Sequence, residues 1–312
     1  MTGDVRMKFS GHETFPFRYG WLKKVVDALS NATGPSEKNI FKSKEAISYL
    51  GVGKNMLSSM RHWALSCDII NINNTEGFTI GEIGEFLFSE SIGVDPYLEK
   101  PGSLWLLHWK LTSRLDRSTT WHFAYHHFAR KSFDRQALVS EIKAFCLANG
   151  KMGVADKTLQ RDADCFIKTY VLRPGKAGRF GEETLECPLT ELRLASETFQ
   201  KGIYEFQIGP KPSLSNAVFQ YALREFAGRS GGKATFSLEQ VTYDPGSPGR
   251  AFKLDENSVA ARLADIDATS DGVFGWTGTA GLRQVQLIRP EVEALELLSP
   301  AYARSPRKQK AA

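Results

Sequence analysis

Between Tyr19 and Leu29 the apolar residues Leu22, Val25, Val26 and Leu29 recur at helical spacing, while Lys23, Lys24 and Asp27 fall away from that stripe. The pattern predicts a first amphipathic helix. Pro16 stops it from running back through Phe15, so Phe9–Tyr19 reads as a loop. Ala46, Ile47 and Leu50 then line one side of a short predicted helix, Lys44–Leu50. Gly51-Val52-Gly53 supplies a turn in which glycine permits positive φ. A second helix follows from Lys54 to about Ser66, with Leu57, Met60, Ala64 and Cys67 as its apolar stripe and Met56 and Trp63 flanking it. Helix, glycine turn and helix at this spacing form the helix-turn-helix arrangement. A strand over Asp68–Ile72, a turn over Asn73–Gly77 and a returning strand over Phe78–Ile80 read as a wing, followed by an amphipathic helix over Glu82–Phe88.

A second module opens near Arg135. Leu138, Ile142, Phe145 and Cys146 mark one helix, which Asn149-Gly150 ends; Asp156 is placed to cap another, with Leu159, Ala163, Phe166, Ile167 and Tyr170 on its inner face. Further on, Ser215–Ala227 is a helix capped by Ser215 or Asn216 and ended by Gly228. Thr235–Val241 is an element of open type, Asn257–Ile266 a short helix, and Phe274–Gly278 with Arg283–Ile288 a terminal hairpin. The fold class is therefore mainly α with small β-hairpins (α+β), built from several helix-turn-helix or winged-helix-like modules. The expected organisation is a loop and helix over 1–36, a winged helix-turn-helix over 37–100, a helical domain over 101–172, an α+β domain over 173–298 and a disordered basic tail over 299–312. Connections fall at Leu29–Lys38 and at the Gly-rich, basic Arg173–Glu183.

With the apolar stripes buried, the helix after Gly53 exposes Lys54, Asn55, Ser58, Arg61 and His62, and the helix after Asp156 exposes Lys157, Gln160, Arg161 and Lys168. These residue types bond phosphate oxygens and base edges in a major groove, and they also make ordinary solvated helix faces. Two glycines and a wing beside the first face favour duplex DNA. Lys23 and Lys24 add positive charge near it. The formal net charge of +5 is compatible with a polyanionic partner without requiring one. The N-terminal stretch Met1–Lys8 carries Asp4 and no apolar core, and no apolar run reaches bilayer-spanning length, so a cytoplasmic protein is expected, without membrane association. Cys67, Cys146, Cys165 and Cys187 form no CxxC pair and read as buried, reduced thiols.

No Walker loop, GxSxG elbow or dinucleotide fingerprint is present, which leaves nucleotide and organic cofactors without support. His122 and His126, four residues apart, share a helical face, but no Glu follows His122 and aromatic residues crowd the segment. Asp162 and Asp164 point in different directions on a helix, and Asp162 is expected to pair with Arg161 or a lysine. The loop before the first helix has richer chemistry. Phosphodiester cleavage needs a base or nucleophile and positive charge at the pentavalent oxygens. His12 or Glu13 is suited as the base, Arg18 as the clamp, and Tyr19 as a donor or nucleophile. The alternative is a loop whose aromatics anchor an interface while Glu13 pairs with Arg18.

The segment Phe9–Lys24, FSGHETFPFRYGWLKK, resembles the opening signature of the SspB-like proteins of bacterial DNA phosphorothioation loci. Gly51–Asp68, GVGKNMLSSMRHWALSCD, Arg161–Tyr170, RDADCFIKTY, and Cys187–Leu194, CPLTELRL, are similar to later blocks of that family, in the same order. The resemblance implies a DNA nickase in a system that replaces a non-bridging phosphate oxygen with sulfur. It implies as partners duplex DNA, a cysteine desulfurase, an ATP-pyrophosphatase-like enzyme and an ATPase. A divalent metal, magnesium or manganese, and a homodimer are compatible with it, and it projects no nuclease motif onto particular residues. The other reading is a non-catalytic DNA-binding adaptor or a transcriptional regulator of the system.

Overall fold

The computed structural model describes residues 6–32, 40–41, 50–73, 77–172, 187–279 and 281–302. The chain divides into two compact units, Met1–Ile208 with Ala251–Lys253, and Gly209–Arg250 with Leu254–Ala312.

In the first unit, α1 (Trp21–Ser30) buries Trp21, Leu22, Val25, Val26, Ala28 and Leu29, the stripe expected from the pattern. The helix expected over 44–50 lies outside the described residues apart from Leu50, which is buried. Gly51 takes the positive φ of 65°, and α2 (Lys54–Ser66) starts after an extended Gly53. β1 (Ile70–Asn73) pairs antiparallel with β2 (Gly77–Ile80), Ile70 opposite Ile80, and α3 (Glu82–Phe88) follows.

The core of this unit is organised by α4 (Pro101–Ser113), in which every residue from Ser103 to Thr112 is buried. Apolar residues on all sides suit a helix that has no solvent face. Within it His108 Nε2 donates to the Ala251 carbonyl and Nδ1 accepts from the Tyr170 hydroxyl, both at 2.8 Å. Burial pushes this imidazole down to about 3, so it stays neutral. Lys253 donates to the carbonyls of Ala124 and Tyr125 at 3.2 and 3.3 Å, with its ammonium 4.2 Å from the centre of the Phe206 ring. All four cysteines are free and buried, and burial raises their thiol pKa values, which favours the protonated, unreactive form.

Next comes a module of α5 (Thr119–His126), β3 (Ser132–Asp134), α6 (Arg135–Ala148), α7 (Asp156–Tyr170), β4 (Ala195–Glu197) and β5 (Ile203–Phe206). Its sheet has the order β3-β5-β4. The sequence pattern grouped 173–298 together, yet strand pairing joins β4 and β5 to β3 and so places 195–206 with the preceding helices. Gly150, at a φ of 74°, follows α6 as expected. The cap of α7 is Ala155 rather than Asp156, whose carboxylate instead pairs with Lys143 at 2.7 Å.

The second unit likewise runs from a helix and a strand through further helices to a hairpin, with four short helices between the strand and the hairpin. α8 (Asn216–Arg229) is capped by Ser215 and runs past Gly228; β6 (Thr235–Ser237), α9 (Leu238–Tyr243), α10 (Pro248–Phe252, its last two residues belonging to the first unit), α11 (Glu256–Ala264), α12 (Ile266–Thr269), β7 (Phe274–Thr277) and β8 (Gln284–Leu287) follow, with the sheet order β6-β8-β7. Strand, cap and helix are built alike in the two modules. Ser132-Phe133-Asp134 buries Phe133 and caps α6 through Asp134; Thr235-Phe236-Ser237 buries Phe236 and caps α9 through Ser237. Phe206 N–H donates to the Lys131 carbonyl in one module, and Leu287 N–H to the Ala234 carbonyl in the other. The tail predicted from Ser299 is helical over Ser299–Tyr302, because Tyr302 is a buried aromatic; residues 303–312 lie outside the described residues. The connection at 173–183 and most of that at 29–38 also lie outside them.

Candidate nucleic-acid interface

The polar side of α2 divides along its length. Lys54 and Asn55 are exposed, Ser58 and Arg61 are half-buried, and Lys54, Ser58 and Arg61 share one face by helical spacing. His62, expected on that face, is only 4% exposed. The loop before α1 covers it: the His12 ring lies 5.6 Å from it, Trp63 5.2 Å and Trp121 6.5 Å. Neither ring nitrogen of His62 has a hydrogen-bond partner among the described residues, and desolvation, helped by His12, Lys8 and Arg61, holds its pKa well below the ordinary histidine value. A neutral, covered imidazole cannot bind phosphate as a cation.

On α7, Lys157 and Arg161 are exposed, and Gln160 and Lys168 half-buried. Asp162 points inward. One carboxylate oxygen accepts from Ser10 N–H at 2.9 Å and from His12 Nε2 at 3.0 Å, and the other accepts from the Thr120 hydroxyl at 3.0 Å. The expected pairing of Asp162 with Arg161 or a lysine is therefore replaced by a buried pair with His12. Asp164 pairs with Arg135 at 3.1 Å.

The loop's four candidates are turned in different directions. His12 is 1% exposed, and its Nδ1 accepts from Thr14 N–H at 3.0 Å. That fixes the proton on Nε2, which donates to Asp162, so neither nitrogen is left to take a proton from water. Glu13 is exposed, and no ion pair joins it to Arg18 among the described residues. The Arg18 guanidinium lies over the Phe15 and Trp21 rings at 5.8 and 5.6 Å, with Nε buried and without a hydrogen-bond partner among the described residues. The Tyr19 hydroxyl donates to Glu191; desolvation and that carboxylate raise the phenol above its ordinary pKa, opposite to what a phenolate nucleophile requires. Lys23 is ion-paired with Asp27, and Lys24 donates to the Leu50 carbonyl at 3.2 Å, so neither is a freely mobile cation.

The loop itself is tightly constrained. Ser10, Gly11, Glu13 and Thr14 all have positive φ, at 62°, 92°, 48° and 66°. A Cβ added at Gly11 would stand 2.9 Å from His62 Nδ1. Gly11→Ala is expected to cost about 2–4 kcal/mol through backbone strain and overpacking. Urea unfolding checks this, and a midpoint equal to wild type would show that the loop does not rest on His62 as described.

The sequence pattern did not single out a group of cations beside this loop. Arg6 and Lys8 are exposed on either side of buried Met7, and Arg61 and Arg117 stand close enough to act on Lys8 electrostatically. Partial desolvation, then Arg61, Arg117 and Arg6, lower the Lys8 pKa, with Asp116 opposing. The period-two alternation around Met7 was the available signal, but it spans only three residues. His122 and His126 have rings 4.8 Å apart, and His122 Nδ1 bonds the Thr112 carbonyl at 2.7 Å. Among the described residues no group of three His, Cys, Asp or Glu side chains converges as a metal site. No described helix is long and apolar enough to cross a membrane.

Residues 9–302 match the family described as Protein of unknown function (DUF4007). The chain belongs to that family. A magnesium ion-bound SspB crystal structure is 30% identical with a TM-score of 0.82, covering 96% of this chain and 90% of its own. A second SspB crystal structure is 29% identical with the same TM-score of 0.82, covering 98% of this chain and 92% of its own. The DUF4007 chain is thus SspB-like over nearly its whole length, in agreement with the resemblance of its sequence blocks. No curated protein matches it.

Proposed function

We propose that this SspB-like chain binds duplex DNA as a component of a phosphorothioation system, with winged-helix modules as its reading heads. The observation that carries this reading is the recurrence of one topology. Helix, strand, further helices (two in the first case, four short ones in the second) and a hairpin, with the first strand next to the last, occur around β3-β5-β4 and again around β6-β8-β7. In such modules the helix before the hairpin enters the major groove. In the first unit two helices precede hairpins and carry cations: α2, with Lys54, Asn55, Ser58 and Arg61, and α7, with Lys157, Gln160, Arg161 and Lys168. Phosphate contacts from such faces fix register, and Asn55 and Gln160 suit base edges.

Strand nicking is the further part of the proposal. Glu13, exposed on strained backbone, is the loop residue suited to activate water, while His12 positions the loop through Asp162. Magnesium is usually held by one or two carboxylates together with substrate phosphates, and among the described residues no three His, Cys, Asp or Glu side chains converge into a ready-made cage. The adaptor reading is favoured by one specific observation, the occupation of both His12 nitrogens. Supercoiled plasmid incubated with magnesium, with manganese and without metal separates the two. Relaxation that disappears in Glu13→Gln while binding persists supports nicking; unchanged topology with binding retained assigns the adaptor role to the isolated chain. Lys54→Ala is expected to lower the logarithmic salt slope of duplex binding by about 0.9, one phosphate contact. Fluorescence anisotropy checks it, and an unchanged slope would remove α2 from the interface. The cysteine desulfurase, ATP-pyrophosphatase-like enzyme and ATPase remain the proposed protein partners.

A further inference from the structure

We propose that Arg6, Lys8 and Arg117, grouped about Arg61 of α2, form a subsite that anchors the phosphate backbone of duplex DNA beside the groove entered by α2. The inference rests on the DNA-binding reading and deepens it by assigning residues outside both helical faces.

Three segments distant in sequence build the subsite. The stretch Arg6-Met7-Lys8 turns Met7 inward, at 6% exposure, and both basic residues outward. Its backbone is fixed to the start of α5, with Lys8 N–H donating to Thr119 Oγ1 at 2.7 Å and Thr119 N–H donating to the Lys8 carbonyl at 3.3 Å. Arg117 is fixed to the end of α2 by a 2.6 Å bond to the Leu65 carbonyl. Arg61 comes from α2 itself, on the face shared with Lys54 and Ser58.

The nearby carboxylates are engaged elsewhere or shared. Asp116 is held by Arg114 through two bonds of 2.9 and 3.0 Å. Asp68 stands 3.8 Å from Lys110 and 3.7 Å from both Arg114 and Arg117. Like charges held together repel and oppose folding unless a counter-charge arrives. Burial first, and then the neighbouring Arg61, Arg117 and Arg6, lower the pKa of Lys8. A polyanion relieves the repulsion. Phosphates spaced along one strand suit cations presented from separate, rigid segments, and such contacts position the duplex without reading its sequence.

The test uses the full chain, a labelled duplex and fluorescence anisotropy over a series of salt concentrations. The variant Arg6→Gln/Lys8→Gln removes charge while leaving the main-chain bonds of Lys8 in place, and its melting temperature should equal or exceed that of wild type. The magnitude of its salt slope is expected to fall by about 1.8, two contacts at roughly 0.9 each. Affinity should drop by a similar factor for unrelated duplex sequences. If the slope stays at the wild-type value while Lys54→Ala lowers it, the subsite is wrong and the DNA-binding reading stands. If wild-type protein binds no duplex at any salt, both fall together.

Discussion

Replacing Asp162 with alanine lowers the stability of the first unit by about 3–5 kcal/mol, the cost of leaving three hydrogen-bond donors without their acceptor. The carboxylate accepts from Ser10 N–H, His12 Nε2 and the Thr120 hydroxyl, and alanine strands all three donors in a water-poor interior. For a unit of this size the loss corresponds to a fall in melting temperature of about 6–20 °C. The damage should also reach the interface, since Asp162 lies on α7, His12 packs against His62 of α2, and Thr120 lies on α5. The loop thus joins the two helices proposed to read DNA. Asp162→Asn keeps an oxygen for Ser10 and His12 and turns an amide toward Thr120, whose hydroxyl can reverse to accept. It should cost only about 1–2 kcal/mol. Calorimetry of the three proteins decides this. An alanine variant melting within about 2 °C of wild type would mean that the network does not clamp the loop.

The elements that could be read from sequence are those with a full helical period or a glycine where the backbone needs one. α1, α2, the β1–β2 hairpin and α3 fall where apolar spacing and Gly51 place them. The recurrence of the module was hidden, because the two copies share a buried Phe and a capping residue but no longer stretch. Their strands, of three or four residues, are too short for alternation to show. α4 presented no polar face to define, since its neighbours enclose it. In the site, His62 was assigned outward from its polarity, whereas a loop distant in sequence covers it. Local periodicity carries no information about that cover. Asp162 was more legible than its assignment: it falls on the same helical stripe as Leu159 and Phe166, where a carboxylate must find buried donors. Its neighbour Arg161 faces the other way.

Raising monovalent salt from about 50 mM to about 200 mM is expected to weaken duplex binding by three to five orders of magnitude, the range for about six to ten phosphate contacts. The cations of the first unit assigned here to the interface are Lys54 and Arg61 on α2, Lys157, Arg161 and Lys168 on α7, and Arg6, Lys8 and Arg117 in the proposed subsite. If all of them meet phosphate, the logarithmic slope should approach about −7, at roughly 0.9 per contact. The partition of that slope is more informative than its total. Lys157→Ala/Arg161→Ala should remove about 1.8 if α7 grips the same duplex as α2, and the loss should add to that of Arg6→Gln/Lys8→Gln because the substituted groups contact separate phosphates. A wild-type slope near −4 with no response to the α7 substitutions would confine the duplex to α2 and its basic flank, leaving α7 to another partner. A slope shallower than about −2 would contradict a backbone-gripping protein altogether, since contacts to base edges alone release few counterions.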